Sequence, residues 1–233
     1  MDASTPKPVR MPKAILFDLD GTLIDSAPDI TAAVNELLAG SNLPPLAVPQ
    51  VTKMIGGGVR KLVERAFAAS GTSLTPAALE QAHRDMRPIY LRHLTGLTRL
   101  LPGAREAIAH FHGNRIPMAV ATNKPQVAAR TILLYFGLLE RLGALVGGDA
   151  VTNPKPAPDM LFFALEKLGV APADALMVGD SISDVKSARA AGMPVALIRG
   201  GYTETPVEEL GADLVCDTLH DLPAALQRLP TAA

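Results

Sequence analysis

The stretch Ala14-Ile15-Leu16-Phe17-Asp18-Leu19-Asp20-Gly21-Thr22-Leu23 decides how this chain is read. Residues 14–17 form a short, wholly apolar run, the pattern of a strand buried on both faces of a parallel sheet. Residues i and i+2 of a strand point to one side. Asp18 and Asp20 are therefore expected to leave the C-terminal end of a strand over 13–18 as a carboxylate pair, with Gly21 breaking the strand. Adjacent carboxylates repel, so folding alone gives little reason to put them there. A divalent cation or shared acid–base chemistry gives one.

From Leu101 onward, apolar runs alternate with helical patterns. Strands are expected at Ile116–Ala121, Ala144–Gly147, Ala175–Val178, Val195–Ile198 and Ala212–Cys216, with helices near 103–112, 125–136, 158–168, 182–191 and 219–228. Such alternation predicts an α/β fold, a doubly wound parallel sheet with helices on both faces. Pro102-Gly103 and Pro125 open helices, while Gly137, Gly169 and Gly192 close them. Residues 25–97 differ: they carry helical patterns at 26–39, 57–69 and 76–94, no convincing strand, and interruptions at Pro44-Pro45, Pro49 and Gly56-Gly57-Gly58. Ligands of such sheets bind outside the carboxyl ends of the strands. An insert leaving just after Asp20 would stand over that place. The expected organisation is an α/β core of residues 11–24 and 98–233, an all-helical cap domain of residues 25–97, and a flexible N-terminal tail of residues 1–10.

The chain has 233 residues, 48% of them apolar, enough for one sizeable core with an insert. A net charge of −1 and the lack of a Lys/Arg run argue against nucleic acid or an anionic membrane as partner. Cys216 is the only cysteine, so no intrachain disulfide can form, and a reducing, cytoplasmic location fits. Within Ala212–Cys216 it reads as a buried, inert thiol. No apolar run approaches the ~18 residues of a membrane span, and the N-terminus lacks a signal-peptide pattern.

Three further strand ends carry polar groups suited to one pocket. Val120-Ala121 runs into Thr122-Asn123-Lys124, followed by a helix opening at Pro125, and helix N-termini bind phosphate. Met177-Val178 runs into Gly179-Asp180-Ser181-Ile182-Ser183-Asp184, a second acidic cluster. Between them, three prolines in Asn153-Pro154-Lys155-Pro156-Ala157-Pro158 fix φ around Lys155 and stiffen its loop. Asp18, Asp20 and Asp180 are balanced by Lys155 and one divalent cation, so a phosphate dianion meets a site that is neutral overall. Without the cation, one carboxylate facing one phosphate charge at ~4 Å costs about 4 kcal/mol, close to a thousandfold in rate. Metal-dependent phosphoryl transfer fits this inventory, with a carboxylate as a competent nucleophile.

Asp18-Leu19-Asp20-Gly21-Thr22-Leu23, Thr122-Asn123, Lys155 and Gly179-Asp180-Ser181-Ile182-Ser183-Asp184 together resemble, in order, the four motifs of the haloacid dehalogenase superfamily. They span nearly the whole chain. The insert between the first two motifs, with Asp25-Ser26-Ala27-Pro28 and Ile55-Gly56-Gly57-Gly58, resembles the helical cap of the bacterial subfamily that includes phosphoglycolate phosphatase.

The resemblance implies a Mg²⁺-dependent phosphomonoester hydrolase working through an aspartyl-phosphate, acting on a small phosphorylated metabolite such as 2-phosphoglycolate, as monomer or homodimer. Asp18 would be nucleophile and metal ligand. Asp20 would be general acid, then base, and would bind Mg²⁺ through its backbone carbonyl. Thr122 and Asn123 would hold the phosphoryl oxygens and Lys155 offset their charge. Asp180 would ligate Mg²⁺ directly, and Asp184 would orient a metal-bound water or Lys155. Other esters, such as an amino-sugar phosphate or pyrophosphate, are alternatives, as is a hexose-phosphate mutase. A dehalogenase would need neither Asp20 nor a metal, and a non-enzymatic binding module would not need the full set.

Several of these residues also have plainer readings. Asp184 suits the first turn of a helix, where acids meet the dipole, and Thr122 and Asn123 suit helix N-caps. Arg60, just past the glycine turn, is either a reader of a substrate carboxylate or a surface arginine. Lys124 is either solvated or a ligand contact. The five histidines lack metal-ligand spacing.

Overall fold

In this computed structural model, residues 11–227 are described. The expected tail of residues 1–10 and the last residue of the expected 219–228 helix lie outside them. Six strands form one parallel sheet: β1 (Ala14–Phe17), β4 (Met118–Thr122), β5 (Ala144–Gly147), β6 (Ala175–Gly179), β7 (Val195–Ile198) and β8 (Leu214–Cys216). Their order is β5-β4-β1-β6-β7-β8. β1 is central and pairs with β4 on one side and β6 on the other. The chain winds outward from β1 through β4 to β5, then crosses back to β6, so the order reverses beside β1. A doubly wound sheet opens its ligand crevice at that reversal.

β1 explains why the run at 14–17 is apolar throughout. Ile15 and Phe17 belong to one buried cluster and Ala14 and Leu16 to another, on opposite faces of the sheet. The first face is covered by α5 (Ala104–Gly113), α6 (Gln126–Tyr135) and α9 (Leu222–Gln227), the second by α7 (Asp159–Leu168) and α8 (Ile182–Ala191).

Expected and observed elements agree in type and differ at ends for local reasons. β4 begins at Met118 rather than Ile116, because Pro117 has no N–H for the ladder. β8 shortens to Leu214–Cys216. α9 starts at Leu222 because the Asp221 carboxylate first takes the Thr218 N–H and hydroxyl, both at 2.9 Å, and closes a turn.

Between β1 and β4 run β2 (Ile24–Asp25), α1 (Ala27–Gly40), α2 (Val48–Thr52), α3 (Val59–Ala69), α4 (Pro76–Arg92) and β3 (Arg99–Leu100). The sequence pattern indicated α1, α3 and α4. It treated Pro49 as an interruption, yet Pro49 sits in the first turn of α2, where its missing N–H has no intrahelical partner to lose. The helices bury one stripe each: Ile30, Ala33, Val34 and Leu37 on α1, and Leu79, Ala82, Met86 and Tyr90 on α4. β2 and β3 form a two-stranded antiparallel ladder, Ile24 opposite Leu100 and Asp25 opposite Arg99. Two-residue strands leave no periodicity to read. The buried Asp29 carboxylate stitches the start of α1 to the exit of the insert, accepting from the N–H groups of Leu97 and Thr98 and from the Thr98 hydroxyl, at 2.8–3.0 Å. Among the described residues no helix is long and apolar enough to cross a membrane.

Candidate active site

The residues singled out at the strand ends gather at the reversal beside β1. Thr122 ends β4, Asp18 follows β1, Asp180 follows β6, and Lys155 lies between β5 and α7. β1 stops at Phe17, and Asp18 keeps a rung to β6 by donating its N–H to Val178 O at 2.8 Å. The chain then turns, with Leu19 O accepting from the N–H groups of Leu23 and Ile24 at 2.9 and 3.1 Å. Strand periodicity therefore does not reach Asp20. The expected pair is divided between two lysines. Asp18 Oδ1 lies 2.9 Å from Lys155 Nζ, whereas Asp20 Oδ1 accepts from Lys124 Nζ at 2.8 Å and from Ser26 Oγ at 2.5 Å.

Lys155 is buried and also donates to Asp184 Oδ1 at 2.7 Å. Asp184 combines a helix-end position with a contact to Lys155. It sits in the first turn of α8, and its Oδ2 accepts from the Asp180 N–H (3.2 Å), the Ser181 N–H (3.1 Å) and the Ser181 hydroxyl (2.7 Å). With Oδ1 on Lys155, both of its oxygens are engaged. Asp180 is held by the Thr22 hydroxyl on Oδ1 (3.0 Å) and by the Tyr202 N–H on Oδ2 (2.7 Å). Gly21 turns the chain past it at φ +83°, and a Cβ there would lie 2.5 Å from Asp180 Oδ2. Only glycine meets both demands.

Burial raises the Asp18 carboxyl to about 6, with Lys155 pulling it down and Asp184 pushing it up. Burial, then Asp184 and Asp18, push Asp180 well above the usual carboxylate range. For Lys155, burial favours the neutral amine, but Asp18 and Asp184 outweigh it and hold the ammonium above its ordinary value. Burial raises the Cys216 thiol to about 11, in keeping with an inert side chain.

Oxygens of Asp18, Asp180 and Asp184 lie within 4.8 Å of one another. Buried carboxylates forced this close, with pKa values driven upward by burial and mutual repulsion, fit a divalent cation that prefers hard oxygen donors. Asp184 already accepts from four donors, Asp180 from one on each oxygen and Asp18 on Oδ1 alone, so Asp18 and Asp180 have more lone pairs free to ligate it. The Asp20 carboxylate lies outside this cluster.

Lys124 is not solvated. It is buried, pairs with Asp20, and stands 5.1 Å from the centroid of the Tyr90 ring on α4. Thr122 is buried, and its hydroxyl accepts from the Lys124 N–H at 3.2 Å. Asn123 is no helix cap: α6 is preceded by Pro125 in the cap position. Both donors of its amide are committed, to Gly56 O at 2.7 Å and Lys155 O at 2.9 Å, and its Oδ1 is buried without a partner. Asn123 therefore ties the α2–α3 turn to the lysine loop, and its side chain has no donor left for a phosphoryl oxygen. Arg60 is half exposed and pairs with Glu80, Nε to Oε1 2.6 Å, in a recess beside the site.

A small cavity of about 40 Å³ joins these parts. Asp18, Asp20, Thr122, Asn123 and Lys124 line it from the sheet, and Ile55, Gly56, Val59, Leu62 and Tyr90 line it from the helices above. Arg60 is not among its walls.

The model of the haloacid dehalogenase-like hydrolases matches residues 12–192. The chain belongs to this family. Among relatives of this hydrolase, phosphoglycolate phosphatase of Rhodospirillum rubrum is 42% identical over 91% of the chain and 90% of its own length. N-acetylmuramic acid 6-phosphate phosphatase of Pseudomonas aeruginosa is 36% identical over 93% and 95%. The crystal structure of a predicted phosphoglycolate phosphatase from Haemophilus somnus 129PT superposes with a TM-score of 0.86 at 30% identity, covering 92% of this hydrolase and 98% of that chain.

No sequence pattern marks a role for Ser26, Tyr90 or Tyr202 at this site. Tyr202 reaches the site by hydrogen bonds to residues 175 to 177 positions away, a relation that leaves no local pattern.

Proposed function

We propose that this hydrolase is a Mg²⁺-dependent phosphatase that cleaves 2-phosphoglycolate to glycolate and phosphate. The contact that carries the chemistry is Lys155 Nζ at 2.9 Å from Asp18 Oδ1, at a strand end facing a small cavity. Lys155 orients the Asp18 carboxylate and offsets the charge of the arriving phosphoryl group. Asp18 attacks phosphorus and becomes an aspartyl-phosphate, while Asp20 protonates the departing alkoxide oxygen. Asp20 then takes a proton from water, whose oxygen attacks phosphorus, releasing phosphate and restoring Asp18. Both contacts of Asp20 fall on Oδ1, which leaves Oδ2 to carry the proton. The Thr122 hydroxyl steadies the transferring group. Asp18, Asp180 and the Asp20 carbonyl would hold Mg²⁺, which would supply charge neutralisation to the transferring phosphoryl group.

We further read residues 25–97 as a cap over a core of 11–24 and 98–233.

The substrate rests on the phosphoglycolate-named relatives. The test is phosphate release from a panel of esters with Mg²⁺, for the parent and Asp18→Asn. Phosphoglycolate is expected to lead in kcat/KM and Asp18→Asn to be inactive. Another ester ahead by about a hundredfold would replace the substrate, and an active Asp18→Asn would overturn the mechanism.

A further inference from the structure

Tyr202 follows β7, in a loop that no motif marks. Its hydroxyl accepts from the N–H groups of Ser26 (2.7 Å) and Ala27 (2.9 Å) and donates to Asp25 Oδ1 (2.8 Å). A phenol offers one donor and two lone pairs, and all are in use. Its own N–H goes to Asp180 Oδ2 at 2.7 Å. The loop is pressed against that acid: a Cβ on the preceding Gly201 would lie 2.3 Å from Asp180 Cβ.

The other end of this linkage breaks a local rule. Ser26 is the N-cap of α1, yet its side chain makes no cap hydrogen bond. A serine there ordinarily accepts from a free N–H of the first helical turn. Ser26 instead gives its hydroxyl proton to Asp20 Oδ1 at 2.5 Å, and the phenol of Tyr202 takes the N–H groups at the helix start. Local rules of this kind are broken where function requires it.

We propose that Tyr202 is a positioning residue that caps α1 in place of Ser26, frees the Ser26 hydroxyl to hold Asp20, and through its own N–H fixes Asp180 relative to Asp20. This rests on the reading above, in which Asp20 moves the proton and Asp180 holds the cation. One residue, through its phenol and its backbone N–H, thereby sets the spacing of two acids that lie on different loops.

The test uses the full chain with Tyr202→Phe, Ser26→Ala and the double variant, assayed with 2-phosphoglycolate and Mg²⁺, together with amide hydrogen exchange in the absence of substrate. Tyr202→Phe keeps the N–H to Asp180 and loses the three phenol bonds. It is expected to lower kcat by about tenfold, to leave KM and the Mg²⁺ half-activation concentration within about threefold, and to speed exchange at Ser26, whereas the Ala27 N–H keeps a second partner in Asp25 Oδ1 at 3.2 Å. Ser26→Ala is expected to lower kcat alike with those amides still protected. The double variant should fall little below the worse single variant, because both act through one contact.

Unchanged exchange in Tyr202→Phe, losses that multiply in the double variant, or a kcat within twofold of the parent in either single variant would each overturn the proposal. Ser26→Ala keeps every phenol bond and carries the kinetic test alone if Tyr202→Phe does not fold. The exchange result needs no substrate. A failure of the substrate assignment, seen as a parent inactive on phosphoglycolate, is thus separate from a failure here.

Discussion

Lys124 Nζ stands 2.8 Å from Asp20 Oδ1, in an ion pair that joins the loop after β4 to the turn after β1. Two carboxylates close in sequence thereby have different partners, Lys155 for Asp18 and Lys124 with Ser26 for Asp20. Removing the ammonium leaves a largely buried carboxylate with one hydroxyl partner. Lys124→Met is expected to cost about 3 kcal/mol, the low end for a broken buried pair because the cavity admits water to Asp20. It should also lower kcat at least tenfold. Urea unfolding and steady-state kinetics check both, and a variant of parental kcat would contradict the pairing's role.

Arg60 makes the opposite case. Its partner Glu80 is half exposed, as it is itself, and neither lines the catalytic cavity. Exposed pairs contribute about 0–1 kcal/mol. Arg60→Ala is expected to leave KM for phosphoglycolate within about threefold and stability nearly unchanged. A large rise in KM would restore the role in substrate binding that the sequence suggested.

The acid cluster predicts how stability follows pH. Asp18 titrates near 6 in the folded chain, above its ordinary value of 3.8, and Asp180 is raised as well. A carboxyl raised on folding binds its proton more tightly in the native state. Its contribution is therefore favourable at low pH and is lost as pH rises through the window from 3.8 to about 6, on the order of 3 kcal/mol for Asp18. A divalent cation offsets that loss. Thermal melts should show Mg²⁺ raising Tm more at pH 7.5 than at pH 5; a hundred times Kd of the cation at pH 7.5 corresponds to about 2.7 kcal/mol of stabilisation. Equal shifts at the two pH values would count against carboxylate ligation.

Gly21→Ala tests the cradle around Asp180. The residue sits at φ +83°, and its new Cβ would press on Asp180 Oδ2. Loss of about 1–3 kcal/mol of stability is expected from overpacking, with the Mg²⁺ concentration for half-activation rising several-fold. A metal titration of activity beside a melting curve separates the two effects.

The sheet was legible because each strand is a short apolar run closed by a polar residue, and a strand buried on both faces needs that run. Asp18, Thr122 and Asp180 were legible for the same reason, since the end of a run is where the crevice opens, and Lys155 was legible from the prolines that flank it. Other parts were not. β2 and β3 are too short for a period, and α2 hides behind Pro49 in its first turn. Asp20 was expected beside Asp18 by strand geometry, but β1 ends one residue before Asp18 and a turn takes over. The donors of Asn123 go to two backbone carbonyls, one of them on the α2–α3 turn, a destination set by tertiary contact alone. Lys124 could not be distinguished from a surface lysine without knowing that Asp20 and Tyr90 flank it.

The β2–β3 ladder has one more consequence. Asp25 and Arg99 are directly opposite one another, so the chain departs for α1 and returns from α4 within about 5 Å of the same point. Outward from that rung, a lineage can lengthen or redesign the helices without disturbing a rung of the main sheet, and so change what is admitted, provided Ser26, Gly56 and Tyr90 keep their contacts with Asp20, Asn123 and Lys124.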